Sequence, residues 1–331
     1  MYSLRRLWLS KDKEICQNWK ELMELSGLNA NEAVDFSIGL FDKDTLIATG
    51  SSKNNIIKCL AVKKEYQSEN LLVTIVQEII NHFYDENIRH FFLYTKPENH
   101  LIFKSLGFKE IIQTEKVLFM EQGVPDFTDY MEKLRKVKSN KALIGSIVMN
   151  ANPFTKGHQY LVEEASKKCE HVFVFVLTED LSEFSNTDRF EMVQMGVSHL
   201  NNITVLPTDD YIISSATFPT YFLTEELNSS LVETQAKLDA TLFKDKIAPI
   251  LDITYRFVGE EPFSPTTNLY NEAMKQVFKG SIQLEIIPRK SIEGNIISAT
   301  KVRKAIKEGN DKLLLEFLPQ TTYDYINKMK R

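Results

Sequence analysis

Five apolar runs in the second half of the chain, at 142–149, 172–177, 203–206, 253–258 and 282–287, constrain the fold more than any other feature. Each is short, and segments of helical spacing separate them. That is the pattern of parallel strands buried on both faces with helices packed between them. Such a sheet takes its ligand in the crevice at the carboxyl ends of its strands. The first run ends directly in Asn150-Ala-Asn-Pro-Phe-Thr-Lys-Gly-His158, a turn that opens an amphipathic helix. Backbone N–H groups and a helix start directed at one point form a phosphate site.

A second element about 140 residues later, Ile297-Ser-Ala-Thr-Lys-Val-Arg303, again opens a helix with hydroxyls and adds two cations. Cations in a first turn oppose the helix macrodipole, so Lys301 and Arg303 make sense if an anion sits there. Ser298 alone would read as an ordinary N-cap. His158 alone would read as a helix cap, but Pro153 fixes the turn, Gly157 permits close approach, and Thr155 adds a hydroxyl three residues before the imidazole. The two elements together suggest a nucleoside triphosphate held between two helix starts. Asn150, Asn152, Arg189 and Gly259 are further crevice residues, as are Glu179 and Asp180 at the end of the second strand. A hydroxyl-rich loop with Ser214, Ser215 and Thr217 suits a small polar substrate or an acyl group.

The first half reads differently. Short β-like runs at 36–41, 46–49, 56–62, 91–94 and 111–120 surround one helix at 71–85, which makes a mixed α+β sheet. The charged stretch 128–141, with Glu132, Lys133, Arg135, Lys136 and Lys138, reads as a linker. The expected division is 1–127, a linker at 128–141, and an α/β domain at 142–331. Within the last, 211–248 reads as a helical insertion opened by a capping box at Ser230-x-x-Glu233.

Composition narrows the partners. The 45 acidic and 40 basic side chains leave a formal charge of −5, spread along the chain, so no basic field gathers nucleic acid or anionic lipid. No apolar run reaches the roughly 18 residues of a membrane span. The amino terminus lacks the apolar core of a signal peptide. Cys16, Cys59 and Cys169 are scattered, which fits reduced thiols and a cytoplasmic protein, with neither a disulfide framework nor a metal site.

Thr155-Lys-Gly-His158 with Ile297-Ser-x-Thr-x-x-Arg303 resembles the paired signatures of the nucleotidylyltransferase superfamily, which bracket a Rossmann-like domain. Within it, the strings 149–158, 211–219 (Tyr211-Ile-Ile-Ser-Ser-Ala-Thr-Phe-Pro219) and 257–265 (Phe257-Val-Gly-Glu-Glu-Pro-Phe-Ser-Pro265) look like the citrate lyase ligase family, and the likeness spans the whole chain. That family joins a first domain like the GNAT acetyltransferases to the nucleotidylyltransferase domain. The resemblance implies that acetate attacks the α-phosphorus of ATP. The acetyl-adenylate then acylates a thiol, the dephospho-coenzyme-A-derived group on the acyl carrier (gamma) subunit of citrate lyase.

By motif, His158 and Thr155 would bind the α- and β-phosphates. Ser298, Thr300 and Arg303 would bind the β- and γ-phosphates, with Lys156 and Lys301 as further clamps and Mg2+ on the triphosphate. In the first domain, Gln67-Ser-Glu-Asn-Leu71 replaces the glycine-rich pyrophosphate loop of acetyltransferases, so acetyl transfer from coenzyme A is not expected there. Its expected role is to receive the carrier or its prosthetic arm. Two rivals are an adenylyltransferase that leaves AMP on a mononucleotide or pantetheine phosphate, and a non-catalytic module that binds ATP and the carrier.

Overall fold

The computed structural model describes residues 2–67, 69–178, 182–212, 218–223, 228–260, 265–292 and 295–329. The chain divides into two compact units. One is Met1–Tyr130 with Ser215–Leu238, and the other is Met131–Ser214 with Asp239–Arg331.

The first unit runs β1 (Ser3–Arg6), α1 (Lys13–Leu25), β2 (Phe36–Asp42), β3 (Thr45–Lys53), β4 (Ile56–Val62), α2 (Leu71–Asp85), β5 (His90–Thr95), α3 (His100–Ser105), β6 (Lys109–Gln113) and β7 (Leu118–Gly123). Its sheet has the order β1-β2-β3-β4-β5-β7-β6. Helix α2 buries Leu71, Ile75, Val76, Ile79, Ile80 and Phe83, a stripe at helical spacing, against the alternating inward residues of the strands. Gly50 allows this closeness, since a Cβ there would lie 2.4 Å from Ile75 Cγ2.

All pairings in this sheet are antiparallel except β4 with β5, and that parallel pairing covers only Ile56 with Phe92 and Ile57 with Leu93. Beyond it, Cys59 adopts φ 54°, and the register of β3 against β4 shifts between Thr49 and Ser51. The strands part there, and residues 218–223 of the same unit lie beside the opening. Tyr221 accepts from the Asn29 N–H at 2.8 Å, and Thr220 donates its N–H and hydroxyl to Glu32 at 2.7 and 3.0 Å. Glu32 also pairs with Lys58 of β4, while Phe218 meets Tyr94 of β5 edge-on at 5.6 Å. Phe218, Tyr221, Phe222 and Leu223 are all buried. Burial, reinforced by Cys59 and Glu32, pushes the Tyr221 hydroxyl above its ordinary pKa.

This placement corrects the contiguous division expected from sequence, because 215–238 belongs with the first unit. The supposed linker is also structured. It forms α4 (Phe127–Lys136), capped by Asp126 and burying Tyr130, Met131 and Leu134, with its charged residues on the outer side.

The second unit continues with β8 (Ile144–Met149), α5 (Lys156–Lys168), β9 (His171–Val176), α6 (Asn186–Val197), β10 (Ile203–Pro207), α7 (Asn228–Leu242), α8 (Ala248–Leu251), β11 (Tyr255–Gly259), α9 (Pro265–Phe278), β12 (Gln283–Ile287), a short hairpin β13 (Ser291–Ile292) and β14 (Asn295–Ile296), then α10 (Ala299–Glu308), α11 (Asp311–Phe317) and α12 (Gln320–Met329). Helix α7 is shared, since the division into units falls within it. It begins before Ser230, so Ser230 and Glu233 lie inside the helix and form no capping box there; Glu233 pairs with Lys237 one turn on.

The five strands are parallel in the order β10-β9-β8-β11-β12, the α/β arrangement read from the five apolar runs. Winding reverses between β8 and β11. These two pair only through Tyr255 with Gly145 and Arg256 with Ser146, near their amino ends. Their carboxyl ends are therefore left apart at the switch point, where this class of sheet binds ligands. The core beneath it joins Ile147, Val162, Val174, Phe257, Val302 and Phe317, which fixes α5 and α10 to the sheet.

If residues 218–223 help to hold the first unit together, Tyr221→Ala in the full chain should cost about 3 kcal/mol in urea unfolding, as for other buried aromatics. An unchanged midpoint would show that the segment adds nothing to this unit.

Candidate active site

The turn leaving β8 is tightly specified. Ala151 takes φ 50°, the Asn152–Pro153 peptide is cis, and Thr155 caps α5. His158 occupies the third helical position, and its Nδ1 accepts the Thr155 N–H at 3.0 Å while the Thr155 hydroxyl accepts the His158 N–H at 3.4 Å. This is a capping box in which imidazole replaces the usual carboxylate. Since Nδ1 is the acceptor, the proton of the neutral ring resides on Nε2. The ring stacks on Phe154 at 5.8 Å. Phe154 is held against α6 where Gly196 makes room, since a Cβ there would lie 2.3 Å from Phe154 Cε1. Burial, with the Arg289 charge second, lowers the His158 pKa to about 4. The site therefore presents one uncharged N–H donor rather than a cation.

The second motif meets the first. Arg303 donates to the Asn152 carbonyl at 2.7 Å and to the Thr300 hydroxyl at 3.1 Å. The Ile297 side chain lies 3.6 Å from where a Gly157 Cβ would sit, an ordinary packing distance. Ser298 is the N-cap of α10 by position, yet its hydroxyl makes no capping bond. An N-cap serine ordinarily spends that oxygen on its own helix, which this one does not. Thus Thr155, Gly157, His158, Asn152, Ser298, Thr300 and Arg303 come together from two segments.

Other expected residues stand differently. Lys156 donates its ammonium to the Leu315 and Glu316 carbonyls at 2.9 and 2.8 Å, at the carboxyl end of α11, where a cation suits the helix dipole. Lys301 is exposed and donates to the Ile296 carbonyl at 3.3 Å. Arg189 is fully buried and donates to the Asn150, Leu177 and Phe184 carbonyls. Asn150 accepts from it through Oδ1, and Asn152 Oδ1 accepts the Phe184 N–H at 3.3 Å. Gly259 ends β11, and among the described residues no atom lies within 4 Å of an added Cβ. Ser214, Ser215, Thr217, Glu179 and Asp180 lie outside the described residues.

Sequence reading missed Arg289. It follows β12, donates through Nε to the Glu260 carbonyl at 2.9 Å, and is near enough for its charge to act on His158. Its signal was the basic pair Arg289-Lys290 just past the carboxyl end of a parallel strand.

The parallel sheet, the switch point and the paired helix starts define a Rossmann-like α/β domain with two helices opening at its crevice. The family model described as the citrate lyase ligase C-terminal domain matches residues 144–326. A [citrate [pro-3S]-lyase] ligase of Haemophilus influenzae is 39% identical, over 92% of this chain and 93% of its own. Those of Escherichia coli K12 and Klebsiella pneumoniae are 33% and 32% identical over 98% of this chain, and 93% and 96% of theirs. The chain belongs to the citrate lyase ligase family, a family of enzymes. Among solved structures, Thermotoga maritima TmcAL bound with alpha-thio ATP matches 56% of each chain at 14% identity and TM-score 0.35, too slight a likeness to bear on function. Among the described residues, no helix is long and apolar enough to cross a membrane.

Two measurements follow. The His158 ring, followed by NMR, should stay neutral down to about pH 4, and Arg289→Met should raise its pKa while burial still holds it below the ordinary value. Because an unfolded histidine titrates near 6.5, the unfolded chain binds the extra proton between those limits, so this group lowers stability as the pH falls from about 6.5 toward 4. Separately, Thr155→Ala should cost about 1 kcal/mol of stability as a lost cap, whereas Ser298→Ala should leave the thermal midpoint unchanged.

Proposed function

We propose that this chain activates citrate lyase by ATP-dependent acetylation of a thiol on its acyl carrier subunit. An acetate oxygen attacks the α-phosphorus of ATP, the bond to the bridging oxygen breaks, and pyrophosphate leaves. The carrier thiol then attacks the acetyl carbonyl of the adenylate, loses its proton, and releases AMP. The observation that carries this reading is the junction of the two motifs, with Arg303 spanning from Thr300 to the Asn152 carbonyl beside the single N–H donor of His158. Named relatives of nearly full length support the choice of substrate.

In this reading His158 Nε2–H donates to an α-phosphate oxygen. Being neutral, it stabilises developing charge without needing a proton from solvent near neutral pH. Thr155 holds the tautomer. Ser298, Thr300 and Arg303, with the N–H groups at the start of α10, receive the β- and γ-phosphates. Arg289 adds positive charge on the same side. Lys156 and Lys301 join only if they leave their carbonyl partners. Among the described residues no group of three His, Cys, Asp or Glu side chains is arranged to hold a metal ion. Magnesium would therefore arrive on the triphosphate oxygens and keep much of its water, as it commonly does.

The test is acetate-dependent exchange of labelled pyrophosphate into ATP with magnesium and no thiol. Exchange is expected, and His158→Ala should lower it about 10²- to 10³-fold while the protein stays folded. Exchange with a mononucleotide or pantetheine phosphate in place of acetate would favour an adenylyltransferase, and near wild-type turnover by His158→Ala would remove the assigned role.

A further inference from the structure

The first unit carries, at one edge of its sheet, positive charge that no carboxylate neutralises. Strand β1 lies at that edge, and the turn after it leads into α1. The Trp8 carbonyl accepts the N–H groups of Lys11 and Asp12, both at 2.9 Å, which fixes the turn. Half of the Trp8 surface stays exposed. Cations hold its indole, with the Arg6 guanidinium carbon 4.5 Å from the ring centre and the Lys11 ammonium 4.9 Å from it. Arg6 also lies 4.4 Å from the ring centre of the buried Phe36, so the exposed ring is tied through Arg6 to the core. Trp8, Lys11, Asp12, Lys13 and Glu14 line one shallow concavity. Among the described residues, no carboxylate pairs with Arg6, Lys11 or Lys13, and Arg5 donates to neutral oxygens of Ser3 and Lys43. By contrast, Lys53, Lys58 and Lys109 of the same unit each pair with an acid. Of the two acids here, Asp12 accepts the N–H groups of Glu14 and Ile15, and Glu14 sits in the first turn of α1, where its charge suits the helix dipole. Four cations thus stand against two acids within residues 5–14, in a chain whose formal charge is −5.

We propose that this face docks a protein partner through a cluster of carboxylates on that partner, with Trp8 as the apolar anchor and Arg6, Lys11 and Lys13 as the matching charge. Tryptophan and arginine are the residues on which interface energy most often concentrates. A protein surface fits better than nucleic acid or anionic lipid, because Asp12 and Glu14 sit among the cations and a continuous array of phosphates would meet them too. The partner's identity rests on the proposed function. It is the acyl carrier subunit, the one protein that the reaction requires this chain to meet.

Two rates measured on the full-length protein test it: acetylation of the carrier subunit bearing its thiol group, and acetate-dependent exchange of pyrophosphate into ATP, which involves no carrier. Trp8→Ala, and separately Lys11→Glu combined with Lys13→Glu, should each raise the KM for the carrier about tenfold, the loss expected of a central interface residue, while exchange and the thermal midpoint stay at wild-type values. A carboxylate at position 13 opens α1, where it suits the dipole, so the charge-reversed protein keeps its fold. If Trp8→Ala lowers the midpoint, the charge reversal decides alone. Added salt should raise the carrier KM of the wild type more than that of the charge-reversed protein. An unchanged carrier KM in a folded variant, or a fall in exchange equal to the fall in carrier acetylation, would overturn the inference while leaving the proposed function intact. A wild-type protein that exchanges pyrophosphate but acetylates no carrier would overturn both.

Discussion

The guanidinium of Arg303, bonded to the carbonyl of Asn152, ties together two segments 151 residues apart in the chain. Without that bond, two helices that begin near the same crevice would be placed independently, each presenting only the modest partial charge of a helix end. With it, the start of α10 has a fixed position over the turn that follows β8. The bond is possible because α5 and α10 pack on one core, through Val162, Ala165, Val302 and Ala305. Burial of apolar surface thus sets the register of the polar groups above it. Arg189 does comparable work from below, where a charge without access to water is satisfied by carbonyls at strand ends.

The electrostatic character of the site follows from this packing. A histidine in water would carry a proton for part of the time near neutral pH. Here burial and a neighbouring cation both oppose protonation, and the backbone of Thr155 occupies Nδ1. Positive charge is supplied instead by arginines, which remain charged in all these surroundings. Fixed positive charge and a neutral N–H donor are thus held on different side chains, the division that the proposed function calls upon.

Much of this was legible in the sequence, for identifiable reasons. The five parallel strands were visible because strands buried on both faces are continuously apolar, and the two motifs because hydroxyls, glycine and cations cluster where a strand yields to a helix. What escaped were facts of long-range pairing. Nothing local distinguishes a lysine that faces phosphate from Lys156, which turns to the end of α11, nor a ligand arginine from Arg189, which is swallowed whole. The capping box at Ser230 failed because the same spacing occurs within a helix, where Glu233 serves a lysine one turn on. The company kept by residues 218–223 was also hidden, since a buried aromatic segment reads alike whichever core it joins.

That last feature bears on how such a chain is made. A first unit finished by residues near 220 cannot be completed when the first 130 residues leave the ribosome, although domains usually fold in order of synthesis. The strands preceding it must wait, with the edges of β4 and β5 open, while three parallel strands of the other unit, β8, β9 and β10, are being translated. The two units are compact apart yet interleaved in time, and a cut at residue 130 would separate two incomplete pieces rather than two domains.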